Sequence, residues 1–122
     1  MNIKRIEWVL RIGTFGTFAG HGILAAGANP QWISYLTTVG FTDELALQIM
    51  PLIGGIDVLV ALVILIKPLK PVVIYAIIWA FLTALVRPIS GESILAFVER
   101  AANWAVPLAL YFLLYKKNAA GN

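Results

Sequence analysis

The feature that most constrains this chain is a series of long, almost uncharged apolar runs. Residues 45–66 contain a single charged residue, Asp57. Each run is close to the roughly 20 residues with which a helix crosses about 30 Å of hydrocarbon. Hydrophobic residues make up 61% of the 122-residue chain and charged residues 12%, a balance far from that of a soluble domain. We therefore predict an all-α integral membrane protein whose single domain, 1–122, is a four-helix bundle. The predicted spans are 8–26, 45–66, 71–86 and 94–115.

The basic residues predict the orientation of these spans. Four crossings place most of them on one side of the membrane: Lys4, Arg5, Arg11, Lys67, Lys70, Lys116 and Lys117. The positive-inside rule then puts both termini in the cytoplasm and the protein in the inner (cytoplasmic) membrane. Glu7 and Arg11 interrupt the first run, so we expect a retained span rather than a signal peptide. Because the basic residues lie at the ends of the runs and not on one face, no nucleic-acid partner is expected.

The segment between the first two spans has a different character. Residues 29–41 carry Trp32, Tyr35 and Phe41, and we expect an amphipathic piece that lies in the outer membrane interface. Thr42 is predicted to cap the second helix.

Prolines mark further positions along the helices. Pro71 suits the first turn of the third helix, and Pro88 is expected to end or deflect it. Pro51 and Pro107 should bend the second and fourth helices.

Several ionisable residues fall inside the predicted spans, where charges are costly and usually face the bundle interior. By helical rise, His21 and Glu99 both lie roughly 9 Å below the outer surface. Arg87 ends the third helix, and its long side chain reaches the same layer. We therefore predict a polar cluster in the outer half that contacts a ligand head group, rimmed by Glu92. Its members are His21, Arg87, Glu99, Arg100 and Asn103.

Asp57 lies nearer the middle of its span, and Arg11 is the cation closest to it in depth. One interpretation is an Arg11–Asp57 ion pair that fixes helix register, and the other is a role for Asp57 toward a ligand or proton. Gly16 and Gly20 form a GxxxG pair on the first helix, which is predicted to allow close approach of another helix.

The residue types present limit the chemistry. The chain has no cysteine, which excludes thiolate nucleophiles, disulfides and iron–sulfur ligation. Its only histidine, His21, has the chemistry to bind a metal, hydrogen-bond a quinone carbonyl or be satisfied within the protein. Met50 is expected at a similar depth on the second helix, but a haem held by His21 and Met50 lacks any further haem signature, and no zinc-ligand spacing is present. No catalytic residue is identified, no metal site is expected, and enzyme activity stays open.

Several short motifs resemble those of DoxX-like membrane proteins. They comprise Leu10, Arg11, Ile12, Gly13, Phe15, Phe18, His21 and Gly22, an aromatic segment ending near Gly40, then Ala46, Gly54 and Gly55, and the Gly91–Glu92 turn. The resemblance implies a four-helix fold and an association with redox or quinone-linked membrane complexes, since the family name comes from a small subunit of a thiosulfate:quinone oxidoreductase. Arg11 and His21 are the positions it carries over, and it assigns neither a chemical role.

Three functions remain open at this point. The first is an accessory or quinone-interacting subunit of a membrane redox system. The second is a structural subunit that packs, through its glycines and aromatic segment, against other membrane proteins or against itself in the lipid bilayer. The third is an oligomeric carrier of a small lipophilic or acidic solute.

Overall fold

The computed structural model describes residues 2–27 and 30–116, without the side chains of Gln31 and Lys116. These ranges are helical throughout apart from short connections, and they contain no strand, which confirms the predicted all-α class. Asn29 and Lys117 lie outside the described residues. The helices are α1 (Ile3–Ala26), α2 (Pro30–Thr38), α3 (Asp43–Ile66), α4 (Lys70–Ile89), α5 (Ile94–Val98) and α6 (Ala101–Tyr111), which continues into a π-helical turn, Phe112–Lys116.

The starts of the long helices follow from local chemistry. The Asn2 side chain accepts a hydrogen bond from the Arg5 backbone N–H and caps α1. Thr42 does the same for α3 by accepting from the backbone N–H of Leu45, as predicted. Pro71 lies in the first turn of α4, where its missing N–H costs nothing, also as predicted. Pro88 does not end α4 at once, since the helix continues to Ile89.

α1 and α3 lie antiparallel and pack most closely where two glycines meet. A Cβ atom built on Gly22 would lie 2.7 Å from the Gly54 carbonyl oxygen, and one on Gly54 would lie 2.5 Å from that of Gly22. The predicted approach through Gly16 and Gly20 is wrong for contacts within this chain, because a Cβ on either would meet nothing within 4 Å. The close approach of α1 to α3 therefore occurs at Gly22, the residue after His21, and not at the GxxxG pair.

At the other end of the α1–α3 pair, Arg11 closes the C-terminus of α3. Its Nε donates to the Ile64 carbonyl oxygen at 3.1 Å, and Nη2 donates to that of Leu65. Nη1 forms an ion pair with Glu7, one turn earlier on α1, at 3.0 Å. The last carbonyl groups of a helix have no hydrogen-bond partner within the helix. A buried arginine that donates to them therefore satisfies the carbonyl oxygens and the guanidinium together. The predicted Arg11–Asp57 pair is therefore wrong, because Arg11 is fully engaged elsewhere.

α4 packs antiparallel against α5 and α6 through aromatic side chains. Phe81 meets the rings of Phe97 and Trp104 edge-on, each at 5.6 Å between centroids. The predicted helix over 94–115 is not continuous, because it breaks at Glu99 and Arg100. Arg100 places its guanidinium 3.4 Å from the Ala96 carbonyl, and its backbone N–H bonds instead to the Phe97 carbonyl. The Ala96 carbonyl is therefore contacted by the Arg100 side chain and not by the Arg100 backbone N–H, which a continuous α-helix would place there.

The hydrophobic core runs between these two helix pairs and consists of small and branched side chains. α1 bridges the pairs by packing on α6 as well as α3, whereas α3 and α4 make few direct contacts. The buried core residues are Phe18, Val60, Ala61, Ile64, Val73, Ala76, Ala80 and Leu110. The sparse α3–α4 contact leaves a gap on one side of the molecule.

α3 and α4 are the two described helices that are long and apolar enough to cross a membrane. Only 33% of the most apolar stretch of α3 and 28% of that of α4 is buried within the protein. Large aliphatic side chains such as Leu52, Leu59 and Ile78 are exposed. Both helices therefore present extensive apolar surface outward, which distinguishes them from the central helix of a soluble core.

Candidate functional site

A cavity of about 320 Å³ occupies the gap between α3 and α4. α2 lies at one end of it, and α1 contributes His21 and Ala25. We refer to the end of the molecule that carries α2 as the α2 end. Most of the lining is apolar, with Leu36, Val39, Met50, Ile53, Leu82, Leu85, Val86 and Ile89. The polar or aromatic groups that line it are His21, Trp32, Tyr35, Asp57, Trp79, Thr83 and Arg87.

Arg87 places a cation at this apolar cavity. The residue is 6% exposed, and its guanidinium lies 5.0 Å from the ring centroid of Tyr35 and 5.9 Å from that of Trp32. Nη1 donates to the Tyr35 hydroxyl at 2.9 Å. Nε is buried and has no hydrogen-bond partner. A buried donor left unpaired costs about 1–3 kcal/mol, so Arg87, a permanently charged residue of the cavity lining, keeps one unsatisfied N–H.

Tyr35 links this cation to the rim of the site. Its hydroxyl accepts from Arg87 and donates to the Glu92 carboxylate, which lies in the turn after α4. Partial burial, followed by the bond to Glu92, raises the pKa of Tyr35. The phenol therefore stays protonated at neutral pH and keeps donating. The resulting Arg87–Tyr35–Glu92 chain fastens α2 to α4 over the end of the cavity.

His21 approaches the same region from α1. Its ring meets that of Trp32 edge-on at 5.5 Å between centroids. Arg87 and Arg100 both lie near enough to act on it electrostatically. Met50, expected at the same depth, lines the same cavity. Among the described residues, no group of three or more His, Cys, Asp or Glu side chains is placed to hold a metal ion.

Asp57 supplies an acid to the cavity lining. The residue is 4% exposed, and Trp79 of α4 lies close to its carboxyl group. One carboxyl oxygen, Oδ1, is buried without a partner. Asp57 and Arg87 thus each keep one buried side-chain atom unpaired, and both residues line the same apolar cavity.

The predicted ligand-binding cluster is only partly assembled around this cavity. His21 and Arg87 line it, whereas Glu99, Arg100 and Asn103 do not. Glu99 and Arg100 pair with each other at 2.5 Å, and the Glu99 side chain is 68% exposed. The helix on which Glu99 was expected to share a face with Asn103, with Arg100 beside that face, is interrupted at Glu99 and Arg100.

The sequence left open a ligand or proton role for Asp57, but it did not join Asp57, Trp32, Tyr35 or Trp79 to the site of His21 and Arg87. The signal for Asp57 lay in two dipeptides, His21–Gly22 and Gly54–Gly55. Pairing Gly22 with Gly54 sets a register that brings His21 and Asp57 to within about one helical turn in height. No sequence signal placed Tyr35 on Arg87, because that contact depends on how α2 folds back.

Comparison with protein-family models, with curated proteins and with solved structures finds no match to this chain.

Proposed function

We propose that the chain is a multi-pass membrane protein of the DoxX-like type that binds the head group of a quinone in the α3–α4 cavity. The apolar surface that α3 and α4 leave exposed supports the membrane assignment, because contact of that surface with water is unfavourable. α1 has 24 residues, about 36 Å at 1.5 Å per residue, which is long enough for a further crossing. α5, α6 and the π-helical turn together make the fourth.

The proposed orientation has the α2 end outside and both termini in the cytoplasm of an inner membrane. It rests on the positive-inside rule, since Lys4, Arg5, Lys67 and Lys70 cluster at the opposite end. In this arrangement α2 lies in the outer interface, where its Trp and Tyr side chains are suited to the head-group layer. The cavity then opens between two apolar helices toward the lipid tails, from which a lipophilic ligand enters.

The observation that carries the ligand proposal is the buried, incompletely paired guanidinium of Arg87 in an apolar cavity. A carbonyl oxygen satisfies its free Nε, while the apolar lining accommodates a ring and an isoprenoid chain. His21, Tyr35 and Trp32 surround the same end, with polar groups to orient the head and aromatic rings to pack on it. The quinone carries electrons, and the protein supplies binding and orientation as an accessory subunit beside other membrane proteins.

The test is titration of the purified protein in lipid nanodiscs with a decyl-substituted benzoquinone, followed by tryptophan fluorescence and calorimetry. Arg87→Met should weaken binding about 10–100-fold, since a hydrogen bond from a charged donor contributes about 1.5–3 kcal/mol. Arg5→Met, exposed at the opposite end, is the matched control and should leave binding unchanged. Native mass spectrometry of the gently solubilised protein should show a retained quinone. Absence of binding by the wild type, or equal binding by Arg87→Met, refutes the proposal.

A further inference from the structure

Two of the predicted cluster residues lie outside the cavity and form a charged pair at the surface. Glu99 and Arg100 pair at 2.5 Å, and their side chains are 68% and 28% exposed. Among the described residues, the side-chain hydrogen bonds of this pair use Glu99 Oε1 and Arg100 Nη1. Glu99 Oε2 is therefore an open acceptor and Arg100 Nη2 an open donor, and both belong to accessible side chains.

α1 packs beside this pair, because it runs antiparallel to α6. Arg100 lies close enough to His21 to act on it electrostatically. About two turns further in, a Cβ atom built on Gly13 would lie 3.4 Å from the Val106 side chain. The outer half of α1 is therefore level with Glu99 and Arg100.

The space between α1 and the charged pair is open. Two turns outward from the contact of Gly13 with Val106, the antiparallel register brings Gly20 opposite Glu99. A Cβ atom on Gly20 or on Gly16 would meet nothing within 4 Å. We call this space the outer notch, and it is bounded by Gly16, Gly20, Glu99 and Arg100.

In the proposed membrane, the outer notch lies where lipid head groups meet the hydrocarbon. α5 begins at the outer surface, and its 5 residues place Glu99 at a depth of about 8 Å. The polar layer of one leaflet is about 5–8 Å thick. Further in on α1, the side chains of Val9 and Ile12 are 69% and 56% exposed. A charged pair at head-group level thus lies above apolar surface that suits acyl chains.

We propose that the outer notch binds a zwitterionic phospholipid whose amine carries N–H groups, that is, one with an ethanolamine head group. The ammonium donates to Glu99 Oε2, and a phosphate oxygen accepts from Arg100 Nη2, so that four charges alternate in sign. A choline head group carries methyl groups in place of the N–H groups and has no donor for Glu99. An anionic head group brings phosphate to Arg100 but no cation to Glu99. This inference rests on the membrane location in the proposed function and not on the quinone.

Native mass spectrometry tests the inference on protein released from nanodiscs that contain equal amounts of ethanolamine and choline phospholipids with identical acyl chains. The wild type should retain the ethanolamine lipid about 3–10-fold more than the choline lipid, because one hydrogen bond distinguishes them. Stepwise N-methylation of the ethanolamine lipid should leave retention largely intact until the third methyl group removes the last N–H. Because these comparisons are made within the wild type, they do not depend on how any variant folds.

Variants then assign the preference to single residues. Glu99→Met removes the acceptor, so the ratio of ethanolamine to choline lipid should fall to near one. Glu44→Met removes an exposed carboxylate in the first turn of α3, at the same end of the molecule, and is the matched control that should keep the wild-type ratio. Arg100→Met should lower retention of both lipids, since both carry phosphate, while the ethanolamine lipid stays preferred. Circular dichroism establishes that the helices form in each variant.

Several results overturn the inference. Equal retention of the two lipids by the wild type shows that Glu99 does not select an amine, and an unchanged ratio in a folded Glu99→Met protein assigns the preference elsewhere. A dimer that retains no lipid shows that a second copy covers the outer notch instead. An ethanolamine preference without quinone binding supports the inference and refutes the quinone site, whereas recovery of the protein from cells without detergent refutes both.

Discussion

Two buried arginines in this protein differ in whether the chain itself satisfies them. Arg11 donates to Glu7 and to the carbonyl oxygens of Ile64 and Leu65. Arg87 donates to Tyr35 but keeps Nε unpaired beside the cavity. Burial of an unpaired donor is costly, and the fold provides an acceptor for each nitrogen of Arg11 but none for Arg87 Nε. This contrast is the reason that we propose Arg87, and not Arg11, as the ligand-binding arginine.

Replacement of Arg11 should therefore affect stability. Arg11→Met removes the donors for two carbonyls at the end of α3 and leaves the Glu7 carboxylate, 15% exposed, without its partner. We expect a loss of about 2–4 kcal/mol, measured by unfolding in mixed detergent micelles. Arg5→Met, whose side chain is exposed, should change stability by no more than about 0.5 kcal/mol. Equal stability of the two variants would show that Arg11 does not hold α1 on α3.

At the scale of helices, the packing of α1 on α3 depends on two glycines that allow backbone contact. Gly54→Ala would place a Cβ atom 2.5 Å from the Gly22 carbonyl oxygen and 2.7 Å from the Ala26 nitrogen. Both are backbone atoms, so the helices must separate, at a cost of about 1–3 kcal/mol. Gly16→Ala meets nothing within 4 Å and should be neutral or gain up to about 1 kcal/mol in helix propensity. Thermal unfolding in detergent compares the two, and a Gly54→Ala protein as stable as Gly16→Ala would contradict the observed crossing.

Helix starts and helix types were predictable because they depend on neighbouring residues. Thr42 and Pro71 act locally, and the structure places both as expected. The break between α5 and α6 was not, because no proline or glycine marks it, although the Arg100 backbone N–H bonds to the Phe97 carbonyl there. The hydropathy of residues 94–115 indicates one apolar run, since Glu99 and Arg100 are only two residues within it.

The candidate site was half predictable for a related reason. Depth estimated from helical rise brought His21, Arg87 and Met50 to one level, and the structure places all three around one cavity. The depth of a residue in the membrane does not indicate which helix its side chain faces. Arg11 was therefore paired with Asp57 instead of with Glu7 and the end of α3. Tyr35 reaches Arg87 because α2 folds back over the helix ends, a tertiary contact without a periodic signal in the sequence.

For the whole molecule, the proposed topology separates the α2 end from the end that carries most of the basic residues. The chain contains no cysteine, so single cysteines report position without a background. Glu44→Cys lies at the exposed start of α3, whereas Arg5→Cys and Lys70→Cys lie at the opposite end. In intact cells a membrane-impermeant maleimide should label Glu44→Cys only, because both termini are proposed to be cytoplasmic.

Permeabilised cells provide the control, since all three cysteines should then react. Labelling of both Arg5→Cys and Lys70→Cys in intact cells, without labelling of Glu44→Cys, would reverse the orientation and place the Arg87 end of the cavity in the cytoplasmic leaflet. Opposite results for Arg5→Cys and Lys70→Cys would show an odd number of crossings between them, so α1 and α3 would not both span. Recovery of the protein from cells without detergent would contradict a membrane location altogether. The exposed aliphatic faces of α3 and α4 would then have to be buried against something other than lipid.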